Sequence, residues 1–288
     1  MKKLFLITGM HRSGTSCVAN LLFRLGVDFG SDPALSKEKL DNKYGNWEDR
    51  TLVEVNDALL RFKQSFWFDP MHFVVPERLD QVPEYVEKKI DKITEHFSKQ
   101  HNIGGLKDPR LSLTLPFWKT VFYEYELTVI YVFRRPELVA HSLASRNSFP
   151  FEYGLALWEY YIRAAADGSK GITCKYVSFD ELLSNPERVT RKLAQEIELD
   201  VTAKVIAGAA ESVVKPKASR ADYLVPALPD QLDNLYDTLT SSGLENISTE
   251  VSGLALEIWR GFVPIVHARF MQKQILFLSD RFFEKASR

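Results

Sequence analysis

Short β-rich runs alternate along this chain with longer segments of helical periodicity, and this alternation restricts the fold more than any other feature. A strand, a helix and a further strand in succession are typical of parallel sheets with crossover helices. Such crossovers are right-handed, which favours an open sheet with helices on both faces. The predicted strands are 3–8, 103–107, 127–133 and 172–178, and the helices that follow them are 15–25, 113–124, 136–147 and 186–197.

The length of 288 residues, 45% of them hydrophobic, suits one large domain with an appended region. We expect one domain over 1–288, with a core up to about residue 225 and a helical extension over about 226–288, where Gly243, Gly253 and Pro264 interrupt the helical patterns. Between the first two strands lie roughly eighty residues, including an aromatic segment at 62–73 and a predicted helix at 82–99. So long an insertion is typical of a segment that covers a site. Its aromatic residues fit either the core or a wall on which a ligand stacks.

Charge and cysteine content exclude several classes of protein. A net charge of −1 lacks the positive excess that generic binding of nucleic acid or of an anionic membrane requires. The two cysteines, Cys17 and Cys174, do not have metal-ligand spacing and fit a reducing compartment. No run approaches the roughly 20 apolar residues of a membrane span. These features predict a soluble, cytoplasmic protein.

The first predicted strand runs directly into the loop GMHRSGTS at residues 9–16, and an apolar helix follows. Gly9 and Gly14 allow tight turning, so that backbone N–H groups converge on an anion at the start of the helix. Thr15 and Ser16 add hydroxyl groups. This order of strand, glycine loop and helix predicts a site for a nucleotide phosphate.

The loop departs from the Walker A pattern G-x-x-x-x-G-K-[ST] at one position. Thr15 stands where that pattern has lysine, and the cation within the loop is Arg12. A P-loop kinase uses the lysine to reach the β- and γ-phosphates and the next hydroxyl to hold Mg²⁺. The loop therefore predicts an anion site that is not built for a Mg–triphosphate.

A second anion site is indicated at the end of the third predicted strand. Arg134 follows this strand, Pro136 opens the next helix, and Ser142 lies eight residues after Arg134. Ligands of open α/β sheets bind outside the carboxyl ends of the strands. For this motif alone, a strand-end arginine that merely pairs with a carboxylate is the favoured interpretation. Arg135 and Arg146 are rivals for the role of Arg134.

Taken together, GMHRSGTS and FRRPELVAHSLASRN resemble the two nucleotide-binding motifs of sulfotransferases that use 3′-phosphoadenosine-5′-phosphosulfate (PAPS), in particular the bacterial and carbohydrate-type members. The resemblance spans roughly residues 4–200 and includes YVSFDELLSNPE after the fourth strand. It implies a P-loop-like three-layer α/β fold around a parallel sheet of about four to five strands.

The resemblance also implies roles for individual residues. Arg12 would contact the 5′-phosphosulfate and stabilise the leaving oxygen, while Arg134 and Ser142 would hold the 3′-phosphate. KPKASR at 215–220 is either a basic loop that closes on this phosphate through Lys217 and Arg220 or a solvated loop. The residues that would form the cradle of the 5′-phosphosulfate are His11, Ser13, Gly14, Thr15 and Ser16, with His11 as a packing or hydrogen-bonding residue.

The implied reaction transfers a sulfuryl group to an acceptor hydroxyl and releases PAP. Glu48 would be the base, because NKYGNWED resembles the segment that carries the catalytic glutamate of carbohydrate-type relatives. Trp47 beside it would desolvate the carboxylate and raise its pKa. The alternative is that Glu48 or Asp49 only stabilises the start of a helix.

Two residues at the end of the second strand complete the implied site. Lys107 would stabilise charge on the sulfuryl group or the leaving oxygen, and Asp108 is either an alternative base or a group that orients Lys107 or Arg110. A sulfuryl group carries less charge than a phosphoryl group, so that side-chain cations can replace Mg²⁺, and we expect no metal.

Two other function classes remain open at the level of sequence. One is a P-loop small-molecule kinase, in which Asp108 would be a Walker-B-like carboxylate, and the other is a non-catalytic nucleotide-binding module. For the sulfotransferase, the resemblance favours a carbohydrate or another small molecule as the acceptor. Oligomerisation through the C-terminal helices also stays open.

Overall fold

Four parallel strands form the centre of the molecule. The computed structural model describes residues 2–30, 45–76, 81–99, 103–213 and 229–286, with 273–286 as backbone only. The strands lie in the order β2-β1-β3-β4. They are β1 (Lys2–Thr8), β2 (Gly104–Lys107), β3 (Tyr125–Phe133) and β4 (Thr173–Ser178). The predicted parallel sheet is confirmed, with each strand within two residues of its expected start.

Helices cover both faces of this sheet. The helices of the described part of the chain are α1 (Thr15–Arg24), α2 (Arg50–Phe62), α3 (Glu84–Lys99), α4 (Leu111–Val121), α5 (Pro136–Asn147), α6 (Phe151–Gly168), α7 (Phe179–Ser184), α8 (Pro186–Glu196), α9 (Ala203–Glu211), α10 (Asp230–Ser242) and α11 (Gly253–Ala286). Pro136 and Pro186 occupy the first turns of α5 and α8, where the missing N–H costs nothing.

The side chains of β1 show why the fold has three layers. Leu4 and Leu6 join a buried cluster with residues of α2 to α6, whereas Phe5 and Ile7 join a second cluster with residues of α1, α8 and α9. Successive side chains of a strand point to opposite faces, so an uninterrupted apolar strand requires cover on both sides. The predicted three-layer α/β architecture is confirmed.

The C-terminal region is helical, as expected, but only partly interrupted where the sequence suggested. Gly243 follows the end of α10 and Gly253 begins α11, whereas Pro264 lies inside α11. The expectation that Pro264 breaks the helical pattern is therefore wrong. None of the helices in the described part of the chain is long and apolar enough to cross a membrane.

Candidate functional site

Three predicted site segments meet at the carboxyl edge of the sheet. The loop 9–16 follows β1, Lys107 ends β2, and Arg134 follows β3. The strand register places Ile7 beside Lys107 and Thr8 beside Tyr131. The segments are brought together because neighbouring parallel strands end at the same edge, which is where open α/β sheets bind ligands.

The loop between β1 and α1 depends on its glycines. Gly9 has φ 142° and Gly14 has φ 93°, in the region that side chains disfavour. A Cβ atom on Gly9 would lie 2.0 Å from the carbonyl oxygen of Val132, and one on Gly14 would lie 2.3 Å from the ring of Phe179. The backbone of the loop is thus fixed between β3 and the start of α7.

The loop contains buried polar atoms that no described residue satisfies. Ser13 Oγ and His11 Nε2 are both buried without a hydrogen-bond partner in the described part of the chain. Thr15 is the buried first residue of α1, so the positive end of this helix faces the loop. Since an unsatisfied buried polar atom is costly, the loop has the capacity to bind a ligand.

One hydrogen bond joins the two predicted anion sites. Arg12 adopts φ 74°, and its Nε donates to Ser142 Oγ of α5 at 2.8 Å. The sequence expectation paired Ser142 with Arg134 and placed Arg12 with the other phosphate. The structure brings Ser142 directly against Arg12, so both motifs border a single site.

Arg134 is half-buried at the edge of this site. Its guanidinium carbon lies 5.5 Å from the centre of the Phe179 ring, and its backbone carbonyl accepts a hydrogen bond from Trp158 Nε1 at 3.0 Å. Arg135 instead lies over Tyr236 of α10, at 5.0 Å. This geometry favours Arg134 over Arg135 as the residue at the sheet edge. Lys217 and Arg220 lie outside the described residues.

Lys107 and Glu48 form a buried ion pair at 2.7 Å. The Lys107 side chain is 1% exposed, and its ammonium group also donates to the Asn46 carbonyl at 2.8 Å and to Ser16 Oγ at 3.2 Å. Its three protons therefore each have an acceptor. The Glu48 side chain is 18% exposed, so that Glu48 is the more accessible member of this ion pair.

The environment of Glu48 differs from the expectation. Burial raises the pKa of Glu48, but the positive charges of Lys107 and Arg110 outweigh this effect and hold the pKa below its usual value. The predicted rise in the pKa of Glu48 is therefore wrong; the ring of Trp47 packs against Phe23 and Phe29 at 4.8 and 5.7 Å. Glu48 is therefore ionised at neutral pH.

Of Glu48 and Asp49, the two acids that could stabilise the start of a helix, Asp49 has this role. Asp49 is the N-cap of α2 and accepts a hydrogen bond from the Leu52 backbone N–H at 2.9 Å. This is the usual role of an aspartate immediately before a helix. Glu48 is consequently available for its contact with Lys107.

Asp108 is held by the protein on both carboxylate oxygens. Its Oδ1 accepts from the Arg110 backbone N–H at 2.9 Å and from Arg110 Nη1 at 3.0 Å, and its Oδ2 accepts from Asn56 Nδ2 at 2.9 Å. The residue has no exposed surface, and burial raises the pKa of Asp108. Arg110 also donates to Asp57 at 2.7 Å. Of the two roles left open by the sequence, these contacts correspond to the orientation of Arg110.

The aromatic insertion belongs mostly to the core but reaches the loop at one point. The hydroxyls of Tyr153, Tyr160 and Tyr161 donate to the backbone carbonyls of Phe68, Pro70 and Trp67, respectively. Trp67 is half-buried, and the centre of its side-chain rings lies 4.4 Å from that of His11. The aromatic spacing gave no signal for this contact, because it depends on how α6 packs.

Comparisons with known proteins give structural likenesses at low identity. No protein-family model matches the chain, and no curated protein gives a significant match. The sulfotransferase domain from the Synechococcus PCC 7002 olefin synthase is 13% identical, with a TM-score of 0.47 over 91% of this chain and 94% of that chain. The sulfotransferase STF9 from Mycobacterium avium is 15% identical, with a TM-score of 0.49 over 83% of this chain and 76% of that chain.

Proposed function

We propose that the protein transfers a sulfuryl group from PAPS to an acceptor hydroxyl and releases PAP. The observation that carries this proposal is the 2.8 Å contact of Arg12 with Ser142, which makes the glycine loop and the start of α5 two walls of one site. A nucleotide with separate 5′- and 3′-phosphate groups requires two such anion-binding segments. A Mg–triphosphate would require the loop lysine that Thr15 replaces.

The described residues fit the nucleotide as follows. The N-terminus of α1 and the Ser13 hydroxyl, which has no partner among the described residues, would hold the 5′-phosphosulfate, with Thr15 and Ser16 beside it. Arg12 would neutralise the oxygen that leaves with PAP. Arg134 and Ser142 would hold the 3′-phosphate, where a guanidinium group offers paired donors to phosphate oxygens.

Glu48 is the base in this proposal. Its carboxylate takes the proton of the acceptor hydroxyl while the hydroxyl oxygen forms a bond to sulfur. The bond between sulfur and the bridging oxygen of the phosphate breaks, and PAP leaves with the electron pair. Lys107 fixes Glu48 in position at 2.7 Å and adds positive charge near the leaving oxygen.

Asp108 suits the role of base less well than Glu48. Protein donors occupy both of its oxygens, and it lacks exposed surface through which an acceptor could approach. A base must come within hydrogen-bond reach of the proton that it removes. We therefore propose that Asp108 holds Arg110 in place and does not touch the acceptor.

Calorimetric titration of the purified protein tests the nucleotide. We expect PAP to bind without divalent metal, because arginines and backbone N–H groups supply the positive charge of the site. Arg134→Ala should weaken PAP binding by about tenfold or more, which corresponds to the loss of one charge-assisted contact of about 1.5 to 3 kcal/mol. Arg135→Ala is the matched control and should leave the affinity nearly unchanged, since Arg135 lies over Tyr236.

Two results would contradict the proposal. Binding of Mg–ATP in the absence of PAP binding would favour the small-molecule kinase. PAP binding without transfer from PAPS to water or to any sugar would favour the non-catalytic module. We expect a carbohydrate acceptor on the basis of the family resemblance, and a panel of methyl glycosides with radiolabelled PAPS tests it.

A further inference from the structure

The loop histidine has an environment that phosphate binding does not explain. His11 packs against Trp67 at 4.4 Å and edge-on against Tyr161 at 5.9 Å, measured between ring centres. The Tyr161 hydroxyl fixes this wall by donating to the Trp67 carbonyl at 2.7 Å. Within the described residues, His11 Nε2 is buried and has no hydrogen-bond partner. A ring held this firmly on both sides presents an unsatisfied nitrogen in a fixed direction.

The direction of His11 separates it from the proposed 3′-phosphate site. Arg12 has φ 74°, in the left-handed region, and the side chains of Arg12 and His11 contact different elements. Arg12 reaches Ser142 on α5, whereas His11 reaches Trp67 of the insertion and Tyr161 of α6. His11 therefore borders the part of the site that the insertion lines.

Burial and the surrounding positive charge keep the imidazole of His11 neutral. Burial and the positive charges of Arg110, Lys107, Arg146 and Arg12 hold the pKa of His11 well below its usual value. Tyr161, which faces it from α6, is also neutral, because burial raises its pKa well above the ordinary range. A neutral imidazole with its proton on Nε2 donates one hydrogen bond and adds no charge to this cationic site.

We propose that His11 binds the acceptor, by donating a hydrogen bond from Nε2 to the hydroxyl oxygen that attacks sulfur. This inference rests on the proposed function and deepens it. A hydroxyl oxygen has one proton and two lone pairs: the proton would point to Glu48, one lone pair to sulfur, and the other to His11. The acceptor would thereby satisfy the buried nitrogen, which gives acceptor binding a favourable contribution.

Two substitutions distinguish this role from simple packing. His11→Phe keeps an aromatic ring against Trp67 and removes the nitrogen. His11→Gln loses the ring but places an amide donor near the position of Nε2. If His11 binds the acceptor, His11→Phe should raise the acceptor KM about tenfold, His11→Gln should recover much of the loss, and the acceptor KM should change more than PAP affinity in both.

The assay uses radiolabelled PAPS with methyl glycosides of glucose, galactose and N-acetylglucosamine, and calorimetry with PAP. If the wild type sulfates none of these sugars, transfer to water, measured as PAP release from PAPS, replaces the KM; a rate that falls in His11→Phe and recovers in His11→Gln supports the role. Unchanged acceptor KM, or an unchanged rate of transfer to water, in His11→Phe would overturn it. So would a loss in His11→Gln that exceeds the loss in His11→Phe, or a rise in the KM of PAPS alone.

These outcomes separate the inference from the proposed function. A wild type that neither binds PAP nor releases it from PAPS shows that the proposed function is wrong. A wild type that does both, with His11→Phe fully active, shows that only the role of His11 is wrong. Histidine ¹⁵N NMR gives a readout independent of turnover: the signals lost in His11→Gln should report a neutral ring with the proton on Nε2, and a ring that is charged at neutral pH would contradict the inference.

Discussion

At the scale of single residues, the two neighbouring acids of the sequence have separate tasks. Asp49 caps α2, while Glu48 turns into the site and pairs with Lys107 at 2.7 Å. A third acid, Asp108, has the strongest set of contacts and the least access to a ligand. Burial and hydrogen-bond saturation, rather than proximity to the loop, separate the proposed base from its structural neighbours.

Glu48→Gln tests this division directly. The substitution keeps size and much of the hydrogen bonding but removes the base, so we expect turnover to fall by about 10² to 10⁴. PAP affinity should change far less than turnover, because the glutamine side-chain oxygen can still accept the hydrogen bond of Lys107 and keep this cation in place. The measurements are sulfuryl transfer from PAPS and calorimetry with PAP.

Asp108→Asn serves as the comparison for that experiment. It removes the charge that Arg110 pairs with inside the protein, so its main effect should be a lower melting temperature. A fully active Glu48→Gln beside a folded but inactive Asp108→Asn would assign the base to Asp108.

At the scale of secondary-structure elements, the sequence predicted the strands and helices that depend on interactions between residues close together in the chain. The strand, glycine loop and helix at 3–25 and the proline-initiated helices α5 and α8 were found from sequence, because each depends on residues adjacent in the chain. Helix α6 is absent from the predictions. It directly follows α5 with no strand between them, so it falls outside the alternation of strand and helix from which α1, α4, α5 and α8 were predicted.

The contacts between side chains of the site could not be predicted from local sequence patterns. The sequence analysis predicted Arg12, Ser142, Glu48 and Lys107 as site residues, but it did not show that Arg12 contacts Ser142 or that Lys107 contacts Glu48. These contacts join residues 130 and 59 positions apart, respectively. They follow from the order of the strands and the packing of the insertion, which no local pattern encodes.

Asp49→Ala tests the capping of α2, which begins immediately after the proposed base. The loss of the bond to the Leu52 N–H should lower the free energy of unfolding by about 0.5 to 2 kcal/mol, as for other N-cap substitutions. Thermal or denaturant unfolding of the variant measures this. Asp49→Ser, which retains a capping oxygen, should recover most of the loss; equal destabilisation by both substitutions would contradict the capping role.

At the scale of the whole molecule, the C-terminal helix and the insertion support each other on one side of the site. Asp69 of the insertion accepts hydrogen bonds from Trp259 Nε1 at 2.8 Å and pairs with His267 Nε2 at 2.6 Å, both on α11. Phe68 adds an aromatic contact with Phe270 of the same helix at 4.4 Å. The segment fixed in this way also carries Trp67, the residue that packs on His11.

Asp69→Ala should therefore affect both the stability of the fold and the binding of the acceptor. Its loss leaves the Trp259 N–H without its acceptor, and we expect the free energy of unfolding to fall by about 1 to 3 kcal/mol. Because Trp67 belongs to the same segment, the acceptor KM should also rise, while PAP affinity should fall less, since the hydrogen bonds of Asp69 join it to α11 and to Phe66 of the insertion. Asp167→Ala, which removes an exposed carboxylate at the end of α6, is the control and should leave both quantities nearly unchanged. If Asp69→Ala lowers stability without altering the acceptor KM, α11 supports the fold but does not position the acceptor side of the site.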